Sequence, residues 1–286
     1  MQRLQSAQGA SRQPFSGRAA PPRPAVRARA VSGTPLPLQA QQSLKRELAE
    51  ALSALPGLDG LFPGAGDAQT KARVCSIVEE LERIAPFRAD TPGAAASLLG
   101  NWSLAFASSG TVVTRSPAAQ LLAQMAALPG FGISNIGQQL DPATPLDPAA
   151  GNQPAQPLAG AGVKCSNQMR LNLGPMGSWQ VRVMGHWQSC HNPSWRFAGT
   201  PAPRGRPADG DADGPGLASE VLFDGLGVQL QGVLGLPIQL PELTLSVPRR
   251  PPNARPNFRT TYVDPDTRVG RGVDSGSLFV FRKDAA

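Results

Sequence analysis

After residue 98 the chain alternates between apolar and polar residues over short stretches, a pattern typical of β-strands with one buried face. Trp102, Leu104 and Phe106 recur at every second position, so we expect them to share a face. Trp179 and Trp187 belong to another such series, in a strand that Gly174-Pro175-Met176-Gly177 would join to its predecessor as a hairpin. The strands predicted in this way cover residues 98–109, 131–140, 163–173, 178–190, 195–198 and 219–226.

Between residues 226 and 240 the even positions are apolar except for Gly232, which indicates extended chain with one apolar face. Such a face more often lines a core than meets the surroundings, so we expect it to be buried. A lipid-facing edge is the alternative.

The chain ends in a segment that predicts three short strands and two turns. Residues 260–263 are strand formers, and proline presets the turn Asp264-Pro265-Asp266-Thr267. Residues 268–271 can pair back, and a turn at 272–276 leads to an apolar strand at 277–281. We expect this ribbon to close the sheet. The predicted fold class is mainly β (α+β), an antiparallel barrel of seven or eight strands.

Two helices are predicted before the sheet. Leu44, Leu48 and Leu52 recur every four residues within 43–55, and a second helix runs from the candidate N-cap Asp67 to about residue 85. We expect their apolar stripes to pack on the barrel, with partner binding as the alternative. A shorter helix is predicted over 116–129. The proline-rich segments near 141–162 and 200–216 predict disordered loop insertions in a domain that covers 43–283.

The net charge of +7 comes largely from the first 31 residues, which carry six arginines and no acidic residue. Without these six cations the net charge falls to +1, so the charge gives no support to nucleic-acid binding. A leader rich in arginine, serine and alanine, without the apolar core of a secretory signal, predicts an organelle transit peptide over 1–31. A disordered basic arm is the alternative. No apolar run approaches the ~18 residues of a membrane-spanning helix.

The chain shows no convincing catalytic or metal-binding constellation. Cys75, Cys165 and Cys190 are too scattered for a disulfide framework, and we expect free thiols, although the last two could meet across a sheet. Asp264 and Asp266 do not begin a calcium loop, and we expect their carboxylates to stabilise a turn by hydrogen bonds to nearby backbone. The functional alternative places a polar group at a barrel mouth, where it would hold the head of an otherwise apolar ligand. This group comprises Tyr262, Asp264, Asp266, Arg268 and Arg271.

Two blocks of this chain resemble the plastid lipid-associated proteins, or fibrillins. The first is TTYVDPDTRVGRG at 260–272, followed by GSLFVF at 276–281, and it is similar to the TTYLDxDLRxxRG run and short apolar strand of that family. The second is LGNW at 99–102, with a Ser-Ser pair at 108–109. The chain departs from the family pattern at Arg259, where an aspartate is frequent, and at Phe106, where the family has tyrosine.

The resemblance implies a lipocalin-like barrel behind two N-terminal helices, located in the chloroplast. It implies a non-enzymatic protein without cofactor that binds prenylquinones, carotenoids or similar apolar lipids and associates peripherally with plastoglobules or thylakoids. The alternative is a scaffold that binds a plastid enzyme of isoprenoid or plastoquinone synthesis. We expect the apolar ligand to contact aromatic side chains inside the barrel. The candidate lining residues are Trp102, Phe106, Trp179 and Trp187.

Overall fold

A computed structural model describes most of the chain from residue 38 onward. The described residues are 38–62, 64–91, 93–111, 130–142, 162–190, 216–233, 236–238, 240–247 and 256–284. Several predictions lie outside these ranges, namely the transit peptide, the helix over 116–129, the strand at 195–198 and nearly all of both loop insertions. No helix in the described part of the chain is long and apolar enough to cross a membrane.

Both long helices predicted from the sequence are confirmed. Helix α1 spans Leu38–Ser53 and begins before the predicted start, and α2 spans Ala68–Ile84. Asp67 caps α2, because its carboxylate accepts a hydrogen bond from the Thr70 backbone N–H at 2.6 Å. A short helix, α3, spans Ala94–Leu98 just before the first strand.

The described residues contain nine strands, and every paired neighbour is antiparallel. Their bounds are β1 Gly100–Ala107, β2 Phe131–Pro142, β3 Val163–Leu173, β4 Ser178–Ser189, β5 Leu217–Gly232, β6 Leu243–Ser246, β7 Phe258–Val263, β8 Thr267–Gly272 and β9 Leu278–Lys283. Eight of them form a closed ring in the order β1-β2-β3-β4-β5-β7-β8-β9, and β6 adds to the edge of β5 outside the ring. The predicted antiparallel barrel is therefore confirmed.

The C-terminal ribbon closes the barrel, as the sequence predicts. Strand β9 pairs with β1, with Phe281 opposite Leu104, and β7 pairs with the start of β5, with Thr260 opposite Leu217. The predicted hairpin is also confirmed, with a short 3₁₀ turn at Gly174–Met176 between β3 and β4.

Strands β2 to β5 continue beyond the closed ring. Strand β7 covers only Leu217 to Ser219 of β5, and β1 covers β2 only from Gly137 onward. The remaining parts form a sheet that is open at both sides. We call this the sheet extension, and it comprises residues 131–136, 169–173, 178–183 and 226–232 together with β6.

Two apolar clusters lie on opposite sides of the barrel wall. The inner cluster includes Trp102, Leu104 and Trp187, and the outer cluster joins α1 and α2 to β1, β7, β8 and β9. A register shift between Leu104 and Phe106 moves Phe106 into the outer cluster. The prediction that Phe106 shares a face with Trp102 and Leu104 is therefore wrong, because a bulge reverses the alternation.

The apolar series at 226–240 is not one buried face. Leu226, Val228 and Leu230 are partly buried in β5, but the chain then reverses through a bridge between Val233 and Leu236. After this reversal the larger apolar residues are mostly exposed. The exposed fractions are 63% for Leu236, 41% for Ile238 and 49% for Leu240. The expected burial is wrong here, because the turn breaks the strand that the alternation would require.

Candidate functional site

Arg268 is the most unusual residue inside the barrel. It lies on β8 opposite Phe281 of β9, and its side chain is completely buried. The guanidinium carbon lies 4.1 Å from the ring centroid of Phe281, 5.2 Å from that of Trp102 and 5.7 Å from that of Trp187. Three aromatic rings therefore surround this cation.

The polar contacts of Arg268 leave most of its donors unused. Its Nη2 donates to Gln138 Oε1 at 2.6 Å, whereas Nε and Nη1 have no hydrogen-bond partner among the described residues. No carboxylate in the described ranges forms an ion pair with it. Burial lowers the pKa of Arg268 to about 9, so the side chain remains a cation at neutral pH.

A polar layer crosses the inner face beside Arg268. Gln138 stands opposite Trp102 on one side and Asn167 on the other, and its Nε2 donates to Asn167 Oδ1 at 2.7 Å. Asn167 stands in turn opposite Val183. Since direct partners in an antiparallel sheet share a face, Gln138 and Asn167 form a polar layer beside Arg268 on the inner face.

On one side of the polar layer the barrel is filled with side chains. Leu98, just before β1, belongs to the inner cluster and accepts a hydrogen bond from Trp102 Nε1 at its carbonyl oxygen, at 2.8 Å. Trp187 packs edge-on against Phe258, with their ring centroids 6.2 Å apart. A Cβ at Gly270 would lie 2.1 Å from the Phe258 ring, which explains the glycine between Val269 and Arg271.

On the other side of the polar layer the inner face continues onto the sheet extension as an apolar wall. In β4, Val181 stands opposite Met169 of β3 and Val228 of β5, and Val228 stands opposite Leu243 of β6. On strands β3 to β6 the wall comprises Met169, Leu171, Trp179, Val181, Val183, Leu226, Val228, Leu230, Leu243 and Leu245.

The opposite face of the sheet extension is polar, and its side chains bond to one another. Gln180 Nε2 donates to Gln168 Oε1 at 2.9 Å, and Arg170 Nη2 donates to Gln231 Oε1 at 2.7 Å. The extension is therefore amphipathic, with its apolar wall facing the same way as the barrel interior.

Asp264 and Asp266 stabilise the turn between β7 and β8, as the sequence analysis predicts for turn-forming carboxylates. Asp264 Oδ1 accepts hydrogen bonds from the backbone N–H groups of Asp266 at 2.9 Å and of Thr267 at 2.8 Å. Both carboxylates also bind Lys45 of α1, at 2.9 Å and 2.6 Å. Although partial burial opposes the shift, the two carboxylates raise the pKa of Lys45 above its ordinary value.

Tyr262 belongs to the same outer arrangement. It lies in the outer cluster, donates its hydroxyl hydrogen to Asp264 Oδ2 and accepts a hydrogen bond from Gln41 Nε2 at 2.7 Å. Burial, together with the hydrogen bond to Asp264, raises the pKa of the Tyr262 hydroxyl above its ordinary value. Asp264, Tyr262 and α1 therefore form one anchoring contact.

Arg271 also faces outward. Its Nε and Nη2 donate to the two carboxylate oxygens of Glu82 in α2, at 2.9 Å and 2.6 Å. Because neighbouring positions alternate along β8, Arg268 and Arg271 lie on opposite faces. The predicted polar group at one barrel mouth is therefore wrong. Four of its members hold the helices, and Arg268 alone lies inside.

The aromatic residues predicted to line the ligand site also lie in different places. Trp102 and Trp187 lie inside the closed ring, and Trp179 lies on the apolar wall, where its Nε1 donates to the Met176 carbonyl oxygen at 2.9 Å. Gln138 and Asn167 are site residues that the sequence reasoning missed. The signal that could have found them is their position among inward-facing apolar residues of two predicted strands.

No group of three or more His, Cys, Asp and Glu residues in the described ranges could hold a metal ion. Cys165 is a buried free thiol and Cys75 a partly buried one, as predicted, and Cys190 is buried. No protein-family model, no curated protein and no solved structure matches this chain. The resemblance to fibrillins stays a prediction based on the motif residues.

Proposed function

We propose that the protein is a plastid lipid-associated protein of the fibrillin type that binds an apolar lipid without transforming it. The observation that carries this proposal is the apolar wall, which continues the inner face of the barrel onto one face of an amphipathic sheet extension. An elongated apolar molecule lying against the wall would remove both surfaces from water. Each ~100 Å² of apolar surface so buried would contribute about 2.5 kcal/mol.

A substitution on the wall tests this proposal. We expect Val181→Gln to weaken binding of a prenylquinone or carotenoid, measured by quenching of tryptophan fluorescence and by mass spectrometry of co-purified lipid. Lys164→Gln is the matched control, because Lys164 is an exposed residue of neighbouring β3. Equal ligand affinity for the wild type and Val181→Gln, or failure of the wild type to bind any prenylquinone, carotenoid or fatty acid, would reject the proposal.

The proposal includes peripheral association with a plastoglobule or thylakoid surface. Several large apolar residues are exposed at the edge of the extension. They are Phe223 and, at alternating positions in and after β6, Leu243 (64% exposed), Leu245 (52%) and Val247 (45%). Adjacent exposed apolar side chains are typical of contact surfaces. We expect Leu243→Ser combined with Leu245→Ser to reduce flotation with vesicles of plastid lipids, and unchanged flotation would argue against this edge.

Chloroplast localisation is proposed from the arginine-rich leader over 1–31. A fluorescent fusion of the full chain should enter chloroplasts, and replacing the leader arginines with glutamate should prevent this. Binding to a plastid enzyme is a weaker candidate. The buried faces of α1 and α2 already pack in the outer cluster, so an enzyme would have to bind other surfaces.

A further inference from the structure

We propose that Arg268 binds the carboxylate head group of an amphipathic lipid, so that the protein prefers a long-chain fatty acid to a neutral isoprenoid or ester. This inference rests on the proposed function, which places a lipid against the apolar wall. It adds the chemistry of the head group and the residue that recognises it.

The first support is the uncompensated charge of Arg268. A fully buried guanidinium loses its hydration, and a paired carboxylate is the usual compensation in proteins. Aromatic rings on three sides offset part of this loss, but Nε and Nη1 have no hydrogen-bond acceptor within the described ranges. An anionic ligand oxygen would satisfy a donor and supply the opposite charge through a charge-assisted hydrogen bond.

A second cation lies near the first. Lys283 is two residues beyond Phe281 on the same face of β9, and its Nζ lies 5.0 Å from the centroid of the Trp102 ring that Arg268 also contacts. No carboxylate in the described part of the chain pairs with Lys283 either. Two cations therefore lie beside Trp102 without a paired carboxylate among the described residues, which favours an anionic group over a neutral one at this place.

The position of Arg268 also suits an amphipathic ligand. Its guanidinium reaches Gln138 in the polar layer, and the apolar wall begins with the next inward-facing residue of β3, Met169. From Asn167 to the end of β3 at Leu173, the strand extends about 20 Å. A head group in the polar layer would leave this length of wall for a long acyl chain.

The test compares an acid with its neutral ester on the same acyl chain. Fluorescent cis-parinaric acid and its methyl ester are titrated into the full chain at neutral pH. We expect the wild type to bind the acid at least tenfold more tightly than the ester. Arg268→Met should remove this preference by weakening the acid alone, and Arg268→Lys should retain part of it. The control Arg282→Met changes an exposed arginine of β9 and should keep the preference.

Two results would overturn the inference in distinguishable ways. If the wild type binds acid and ester equally, the head-group assignment is wrong while lipid binding stands. If it binds neither probe, nor any prenylquinone or carotenoid, the proposed function fails and the inference fails with it. Should Arg268→Met not fold, as judged by circular dichroism, the acid and ester affinities of the wild type still decide the question.

Discussion

Replacing Asp264 with alanine should weaken the attachment of α1 to the barrel without affecting lipid binding. The carboxylate accepts two hydrogen bonds from backbone N–H groups of its turn. It also accepts a hydrogen bond from the Tyr262 hydroxyl and forms an ion pair with Lys45. Only 7% of its side chain is exposed, so water cannot easily replace these partners. The neighbouring Asp266 also binds Lys45 but is 65% exposed, which makes Asp266→Ala a matched control.

The magnitude follows from these contacts. A hydrogen bond to a charged group contributes about 1.5–3 kcal/mol, and deletion leaves buried donors unsatisfied. Because the four contacts share one carboxylate, their contributions do not add, and we expect Asp264→Ala to lower the free energy of unfolding by about 3–4 kcal/mol. For Asp266→Ala we expect less than about 1 kcal/mol. In a chain of this size each kcal/mol corresponds to a Tm change of roughly 2–4 °C.

The assay is thermal and urea unfolding followed by tryptophan fluorescence, with lipid affinity measured at a temperature at which all variants are folded. A similar small effect of both substitutions would refute the anchoring role of Asp264. Loss of lipid affinity in Asp264→Ala with unchanged stability would show that this carboxylate is a ligand contact after all.

Three further predictions concern the ion pair between Arg271 and Glu82, the titration of Asp266 and the reactivity of two thiols. A double-mutant cycle of Arg271→Met and Glu82→Gln should give a coupling free energy of about 1 kcal/mol in unfolding experiments, and no coupling would refute the ion pair as a stabilising contact. Partial burial of Asp266 opposes ionisation, but hydrogen bonds from Lys45 and Thr267 lower its pKa to about 2. Its contribution to stability should therefore be complete above about pH 4 and disappear as the pH falls towards 2, so the Tm difference between the wild type and Asp266→Asn should shrink over this range. Burial raises the pKa of the Cys165 thiol to about 12, so it should react with a thiol reagent only on unfolding, whereas the more exposed Cys75 should react first.

Local pattern predicted the elements of this fold well, because their signals lie within a few residues. The leucine repeat and Asp67 predicted the two long helices, and the turn chemistry at Asp264 predicted the first turn of the ribbon. Alternation in 178–190 placed Trp179 and Trp187 on one continuous inner face, because β4 and β3 pair without interruption. The sequence also predicted that the ribbon closes the barrel, since an apolar last strand needs a partner.

The sequence by itself therefore determined the two long helices, most of the strands and the antiparallel barrel, since each depends on periodicity or turn preference, but it predicted neither α3 nor the edge strand β6. Only the tertiary structure decided which side chains lie together inside the barrel and which lie outside it. One extra residue at a bulge places Phe106 in the outer cluster, and a turn after β5 exposes Leu236. Asp264 and Arg271 form ion pairs with α1 and α2 on the outside, whereas Arg268 lies on the opposite face of β8 and is buried inside the barrel. Burial and charge compensation depend on residues far apart in the chain, and these contacts arise only when the barrel closes.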